Sequence, residues 1–394
     1  MREALGRLEA PDEHRAEERG RQVVRTAFAE REGADLRRST RVRATSVLAV
    51  AVAIAGFALT PAGAEVREWI GEKMGLGAED AKPRLGRLPA DGSILVESDG
   101  GTWVVAEDGS RRRLGGYEKA TWSPSGMFVG LTDGPEVRAL TPQGETRWVH
   151  APESEDITGL DWSTDDGDRI AYVVGGSRLH VMAADNSSEA TFDSTVAPVT
   201  PAWRPDRSET RIVRQLAYVD EGGEVRVVDT ESGRLVFSHR PDMPVRKLEW
   251  QTNGKGLLMV ARQGIALRYA PETAMSWEPA VNGKRSAHWE EASIAPGGFA
   301  GGSERIAAVS RSRGRSTVEL LRQSTSRELI TIPSQVSDVT WSPDGEWVVL
   351  GLEDADQWLF VRVEDAEVRA FSNISDQFES AGEFPRIAGW CCGP

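Results

Sequence analysis

A short motif returning at a nearly fixed interval constrains this chain more than anything else in it. Thr121-Trp122-Ser123-Pro124-Ser125-Gly126 is the first copy, and Asp161-Trp162-Ser163-Thr164-Asp165-Asp166-Gly167 is the second. Ala202-Trp203-Arg204-Pro205-Asp206 and Glu249-Trp250-Gln251-Thr252-Asn253-Gly254 follow. Ser293-Ile294-Ala295-Pro296-Gly297-Gly298 is degenerate, with Ile294 at the Trp position. Thr340-Trp341-Ser342-Pro343-Asp344-Gly345 is the cleanest copy, and Gly389-Trp390-Cys391-Cys392-Gly393 the last. The key positions are 40, 41, 47, 44, 47 and 49 residues apart. Self-similarity at that period means one supersecondary unit stacked repeatedly, as in a propeller or a solenoid.

Each unit reads the same way. An apolar strand ends at the Trp, and the Pro/Asp/Gly group makes a tight turn. Second strands such as Arg169–Gly175, Gly256–Arg262 and Trp347–Glu353 follow, then third strands such as Arg178–Ala184, Glu224–Thr230 and Trp358–Glu364. A poorer fourth segment, such as Arg234–Arg240, closes the unit. Four antiparallel strands in that length make one propeller blade. Six copies precede complete units, whereas Pro385–Cys391 supplies only a first strand. Ser93–Ser98, Thr102–Asp108 and Arg111–Gly115 are three strands lacking a first, so the two regions together predict one composite blade. The expected fold is all-β, a β-propeller of four-stranded antiparallel blades over residues 91–394, seven-bladed with six or eight as alternatives.

Trp341 to Gly345 matches the W-S-P-D-G signature of TolB-like propellers, so residues 91–394 resemble that WD-repeat-like family. The resemblance implies the fold and says almost nothing about function, because one fold hosts many activities. The signature positions Trp122, Trp162, Trp203, Trp250, Ile294, Trp341 and Trp390 are expected to pack between blades, since a buried Trp removes roughly 150–250 Å² from water.

Ala44 to Gly63 is a 20-residue stretch without a charge. As a helix it would span about 30 Å, the thickness of a bilayer core. Arg37, Arg38, Arg41 and Arg43 precede it, and Trp69 lies near the expected far interface. The positive-inside rule then predicts a single-pass protein with a cytoplasmic N-terminus and an extracytoplasmic propeller. Cleavage at Ala62-Gly63-Ala64, a twin-arginine signal at Arg37-Arg38, and a buried helix are alternative readings. Residues 1–43 are then a cytoplasmic segment, 44–63 a transmembrane helix, and 64–90 a juxtamembrane helix and linker. Residues 11–32 read as a helix opened by Pro11, Asp12 and Glu13, with Val23, Val24, Ala27 and Phe28 on one stripe. That stripe suits either a cytoplasmic protein partner or a solvated helix. The order of helix, span and outer domain is similar to that of membrane-anchored anti-sigma factors, but no cysteine lies near His14 to build their zinc motif.

The net charge is −14, and residues 1–43 hold 11 Arg against 9 acidic groups, so the remainder is strongly acidic. That balance argues against nucleic acid, whose phosphates need clustered Lys and Arg. No G-x-S-x-G, H-E-x-x-H or P-loop pattern occurs. His150, His180, His239 and His288 fall in different blades or connections without metal-ligand spacing. Asp165-Asp166-Gly167-Asp168 could hold a calcium ion but occupies the ordinary turn of the repeat. Arg111-Arg112-Arg113 reads as a solvated outer strand or as a patch for anionic groups, and Asn186-Ser187-Ser188 and Asn373-Ile374-Ser375 fit glycosylation sequons. Cys391 and Cys392 could form a vicinal disulfide or stay as thiols, with no catalytic part expected of them. No cofactor and no metal site is expected. The reading is a membrane-anchored binding or scaffolding module, not an enzyme, taking a protein, peptide or envelope glycan on a propeller face, with a sensor or regulator coupled to its cytoplasmic segment as one form of it. The alternative is an extracytoplasmic hydrolase or lyase with its active site in the propeller mouth, which would need convergent His, Asp and Glu on the inner strands.

Overall fold

The computed structural model describes Glu68, Trp69 and residues 84–392, apart from 164–167, 194, 206–213, 252–253, 255, 262–263, 270–277, 280–288, 297–304 and 323–324. The span at Ala44–Gly63, the helix expected at 11–32, the acidic turn Asp165–Gly167, the Gly297-Gly298 pair and His288 lie outside the described residues. No helix among the described residues is long and apolar enough to cross a membrane.

Among the described residues the strands pair into seven four-stranded antiparallel sheets. The fold is a β-propeller. We number its blades along the chain: one (120–150), two (157–193), three (202–239), four (245–279), five (289–332) and six (338–372). The composite blade joins Arg386–Cys391 to Ser93–Ser98, Gly101–Val105 and Arg111–Gly115. The inner strand of each blade neighbours those of the blades before and after it. The Arg386–Cys391 strand lies between Asp338–Trp341 of blade six and Ala120–Trp122 of blade one, which closes the ring.

Burial explains the sequence pattern of the strands. Middle strands are covered on both faces by neighbouring blades, so they read as continuous apolar runs instead of alternating ones. Trp347–Leu352 is buried throughout, as is Gly101–Val105. Outermost strands have one free edge, and charge there discourages pairing with another chain. Arg111–Gly115 is such a strand, with its three arginines exposed.

The signature turn is held by its own side chains. In blade six Gly345 N–H donates to Ser342 O at 2.9 Å, and Trp347 N–H donates to Ser342 Oγ at 2.9 Å. Asp344 Oδ1 accepts from Glu346 N–H at 2.8 Å. Gly345 sits at φ +67°, and Gly126 and Gly254 take the same left-handed conformation at +68° and +67°. That region penalises a side chain, which is why the motif ends in Gly. Ser123 and Ser163 repeat the serine's role, accepting from Phe128 N–H at 3.0 Å and Arg169 N–H at 3.1 Å.

Closure is made by strand pairing and by a latch. Ile94 faces Trp390, Leu95 faces Gly389, and Glu97 faces Arg386. A short helix at Ile374–Gln377 leads from blade six into the latch. Phe378 is fully buried between Trp103 and Trp358, with ring centroids 5.9 and 5.1 Å away. Asp99 accepts the backbone N–H of Gly382 at 2.7 Å, and Ser98 Oγ donates to Phe378 O at 2.9 Å. Residues read from the sequence as the end of a linker also join this core. Leu85, Leu88 and Ala90 are buried with Ile94, Trp358 and Trp390. Trp69, expected at a membrane interface, packs partly buried against the core shared by blades five and six.

Removing residues 384–394 deletes the closing strand and uncovers the edge of Ser93–Ser98. Loss of a buried Trp alone costs about 3–5 kcal/mol, against a usual total of about 5–15 kcal/mol. The truncated protein is therefore expected to be insoluble or to melt well below the full chain by calorimetry. Equal melting temperatures would show that the strand does not close the ring.

Candidate functional site

The inner strands are edge strands, so the backbone groups on their free side need partners. Carboxylates of the preceding blade supply them. Asp161 Oδ2 accepts from Trp203 N–H at 2.9 Å, and Glu249 Oε1 from Ile294 N–H at 3.0 Å. Asp338 Oδ2 accepts from Ile387 N–H at 2.9 Å, and Glu97 Oε1 from Ala120 N–H at 2.7 Å. Signature indoles donate a second bond in the same direction, from the following blade to the preceding one. Trp203 Nε1 donates to Asp161 O at 3.3 Å, Trp250 Nε1 to Ala202 O at 3.0 Å, and Trp341 Nε1 to Ser293 O at 3.0 Å. Two arginines cover indole faces from the neighbouring blade, Arg204 over Trp250 at 5.5 Å and Arg305 over Trp341 at 5.4 Å. Trp162, Trp203, Trp250, Ile294, Trp341 and Trp390 are buried, while Trp122 is half-buried against Gly389.

These carboxylates are partly open to small solvent yet enclosed by protein on most sides. Burial pushes Asp161 up to about 7, opposed by the N–H groups of Trp203 and Trp162. Burial also raises Glu97 and Asp338, opposed by Lys119 and Lys247 respectively. Burial would depress Lys247, but Glu249, Glu291 and Asp338 outweigh it and leave the ammonium above its ordinary value. Lys247 Nζ lies 3.3 Å from Glu249 and 3.8 Å from Glu291, and donates to Ala292 O at 3.1 Å. Arg246 pairs with Glu291 at 3.1 Å. The ring is therefore engaged in joining blades. Asp and Glu converge on the inner strands, but His150, His180 and His239 stand on third and fourth strands.

The sequence separated the histidines; the fold brings two of them together. His150 Nε2 lies 2.8 Å from Glu189 Oε2, and His180 Nδ1 lies 2.7 Å from Glu189 Oε1. Tyr172 O–H donates to the same carboxylate and its ring stacks on His180 at 5.3 Å. Burial would raise Glu189, but the bonds from Tyr172, His180 and His150 prevail and hold it below the usual range. His150 is at the outer edge of blade one and the others belong to blade two, so only the repeat register could have paired them. No group of His, Cys, Asp and Glu among the described residues is arranged to hold a metal ion.

Two concave surfaces among the described residues lie between blades at the signature-turn end. Between blades one and two a groove of about 810 Å³ is lined by Met127, Phe128, Trp148 and Trp162, with Arg147 and Arg169 among its polar groups. Met127 is 62% exposed, which is unusual for a large apolar side chain beside a core. Phe128 stacks on Trp162 at 6.4 Å, and Trp148 Nε1 donates to Ala184 O at 2.8 Å, so the aromatic floor is fixed. A smaller groove of about 580 Å³ between blades five and six is lined by Arg305, Arg322, Arg327 and Arg362 together with Glu346 and Glu364. Arg362 is paired there with Asp365 at 2.7 Å, so the charge is largely balanced. No sequence signal pointed to either groove, because their walls come from turns of adjacent repeats.

Comparison with known proteins supports the fold alone. No family model matches the chain, and no curated protein matches it. A chain from a solved structure described as "Crystal Structure of Mitotic Checkpoint Complex" is similar, with a TM-score of 0.51 and 16% identity over 66% of this chain and 79% of that one. As 1408 chains of solved structures match, the architecture is widely shared and selects no activity.

Asp161 gives the ring a pH signature. Its ordinary value is 3.8 and its folded value about 7, so between them the folded chain holds a proton that the unfolded chain has lost. Stability from this group therefore falls as pH rises from about 4 to 7. Asp161→Asn keeps an acceptor for Trp203 N–H and cannot ionise. Relative to the parent, the variant is expected to lose less of its melting temperature between acid and mildly alkaline buffer. Parallel melting profiles across that range would refute the assignment.

Proposed function

We propose that this chain is a protein-binding propeller and that the groove between blades one and two is its docking site. The supporting observation is the fixed aromatic floor beside exposed Met127, with exposed Arg147 at the rim. The occupant is an extended protein segment that places an apolar anchor on Met127, Phe128 and Trp148 and an acidic residue beside Arg147. Interfaces draw most of their energy from such buried aromatic and apolar contacts, with charge setting register. The ring of inner carboxylates favours this reading over an enzyme, since its oxygens already hold backbone N–H groups and Lys247. The likeness to TolB-like propellers belongs to the same proposal.

We place the propeller outside a membrane, anchored through Ala44–Gly63. Protease added to intact cells is expected to degrade residues 91–394 and spare residues 1–43. A soluble product beginning at Glu65 would instead establish cleavage.

Docking is tested with peptides selected for binding to the whole protein. Selected sequences are expected to carry an apolar residue next to an acid, and Met127→Glu and Arg147→Glu to weaken them about tenfold or more, equivalent to ~1.4 kcal/mol. Glu221→Lys, in the turn between the second and third strands at the opposite end of its blade, should leave binding unchanged. Peptides indifferent to both groove substitutions would refute the site.

A further inference from the structure

Cys391 and Cys392 are joined to each other as a vicinal disulfide. They occupy the Ser and Pro positions of the signature, where blades one and six make their own tight turn. Here the pair rests instead on the turn of blade one. Cys392 Sγ lies 3.4 Å from Pro124 O, and Cys391 Sγ 3.9 Å from Ser123 O. Gly126 makes the seat possible. A Cβ there would stand 2.9 Å from Cys392 Cβ and 3.0 Å from its sulfur.

We infer that Cys391–Cys392 is a thiol–disulfide exchange site whose co-substrate is a dithiol reductant, and that its two states reshape the turn Ser123–Gly126. Both cysteines are half-buried, neither sealed in a core nor fully in solvent, which leaves the pair within reach of a small dithiol. Exchange depends on that access together with the reactivity of the attacking thiolate. A thiolate of the reductant attacks one sulfur, forming a mixed disulfide and releasing the adjacent cysteine as a thiolate that takes a proton. The reductant's second thiol gives up its proton and displaces the remaining cysteine, leaving as a disulfide of the reductant. Two electrons and two protons pass to Cys391 and Cys392. No other cysteine is present in the sequence, so the pair cannot be diverted into another intrachain bridge.

The seat is chemically matched to both states. A disulfide sulfur has no proton to donate, so in the bridged form Ser123 O and Pro124 O meet sulfur in contact only. Reduction separates the sulfurs and gives each an S–H, for which the carbonyls that they contact in the bridged form, Ser123 O and Pro124 O, are acceptors at hand. The pair therefore changes from covering the turn to bonding it. Ser123, Pro124, Ser125 and Met127 also line the groove between blades one and two. Any effect of reduction on docking rests on the reading of that groove as a binding site; the redox couple itself does not.

The test uses the purified full chain equilibrated in graded dithiothreitol, quenched with acid and alkylated with iodoacetamide before intact-mass measurement. The expected result is a mixture of molecules with no adduct and with two, shifting from the first to the second as reductant rises and returning on oxidation with diamide. Amide exchange of the segment Ser123–Phe128 should differ between the states in the parent and be unresponsive to reductant in the C391S/C392S variant. Thiols that alkylate without reductant and stay open after diamide would overturn the proposal. So would a bridge that resists dithiothreitol until the protein is denatured. Identical exchange at Ser123–Phe128 in both states would reduce the pair to an inert clasp, whatever the peptide experiment finds at the groove.

Discussion

An inner strand leaves half of its backbone hydrogen-bonding groups facing away from its own sheet, and at six of the seven joints between blades, among the described residues, a side chain of the adjoining blade ties one of them. Asp161 shows both parts in one residue. Its carboxylate accepts the backbone N–H of Trp203, and its carbonyl accepts the indole N–H of the same Trp. An unpaired buried donor costs about 1–3 kcal/mol, so each such tie discourages any rotation of one blade against the next. Burial of the indole adds an apolar contribution at the same place. The signature Trp thus serves as packing and as hydrogen-bond donor together, which a Leu or Phe could not.

Ties of this kind differ around the composite blade. Among the described residues the indole N–H groups of Trp122 and Trp390 have no hydrogen-bond partner, although carboxylate ties from Asp338 and Glu97 are present on both sides. Other interactions take up the load there. Strand pairing joins residues distant in sequence, Phe378 fills the space between Trp103 and Trp358, and Asp99 gathers the N–H groups of Ala381 and Gly382. The latch lies before the closing strand in sequence, so chain closure relies on more than the final strand.

What could be read in the sequence is what repeats with a fixed offset. The Trp, the Ser that caps the turn and the Gly at positive φ recur at the same local spacing, and Arg386–Cys391 pairs with Ser93–Ser98. The carboxylate ties were hidden because their offset varies. Asp161 and Glu249 stand one position before the signature residue, Asp338 stands three before it, and Glu97 is on a second strand. What is preserved is the direction of a free N–H, which is geometric. His150 and His180 were hidden for the same reason, since their meeting on Glu189 crosses a blade boundary. Leu85, Leu88 and Ala90 carried too few apolar residues, between Gly, Arg and Pro, to be distinguished from linker.

The acidic balance of the chain looks different once the ring is in view. Glu97, Asp161, Glu249, Glu291 and Asp338 add to the net charge, yet they are committed to backbone N–H groups, to Lys247 or to Arg246. The formal charge therefore overstates how much free negative charge the propeller presents. On the proposed reading a partner would meet the groove between blades one and two at the signature-turn end, where Arg147 stands beside an aromatic wall. This groove shares its turn with the cysteine pair, because blade one is the neighbour of the closing strand in the ring. On the proposed readings, closure and recognition share the turn Ser123 to Gly126, so a chemical change at the closing strand would reach the groove through residues that line it, without any rearrangement of the blades.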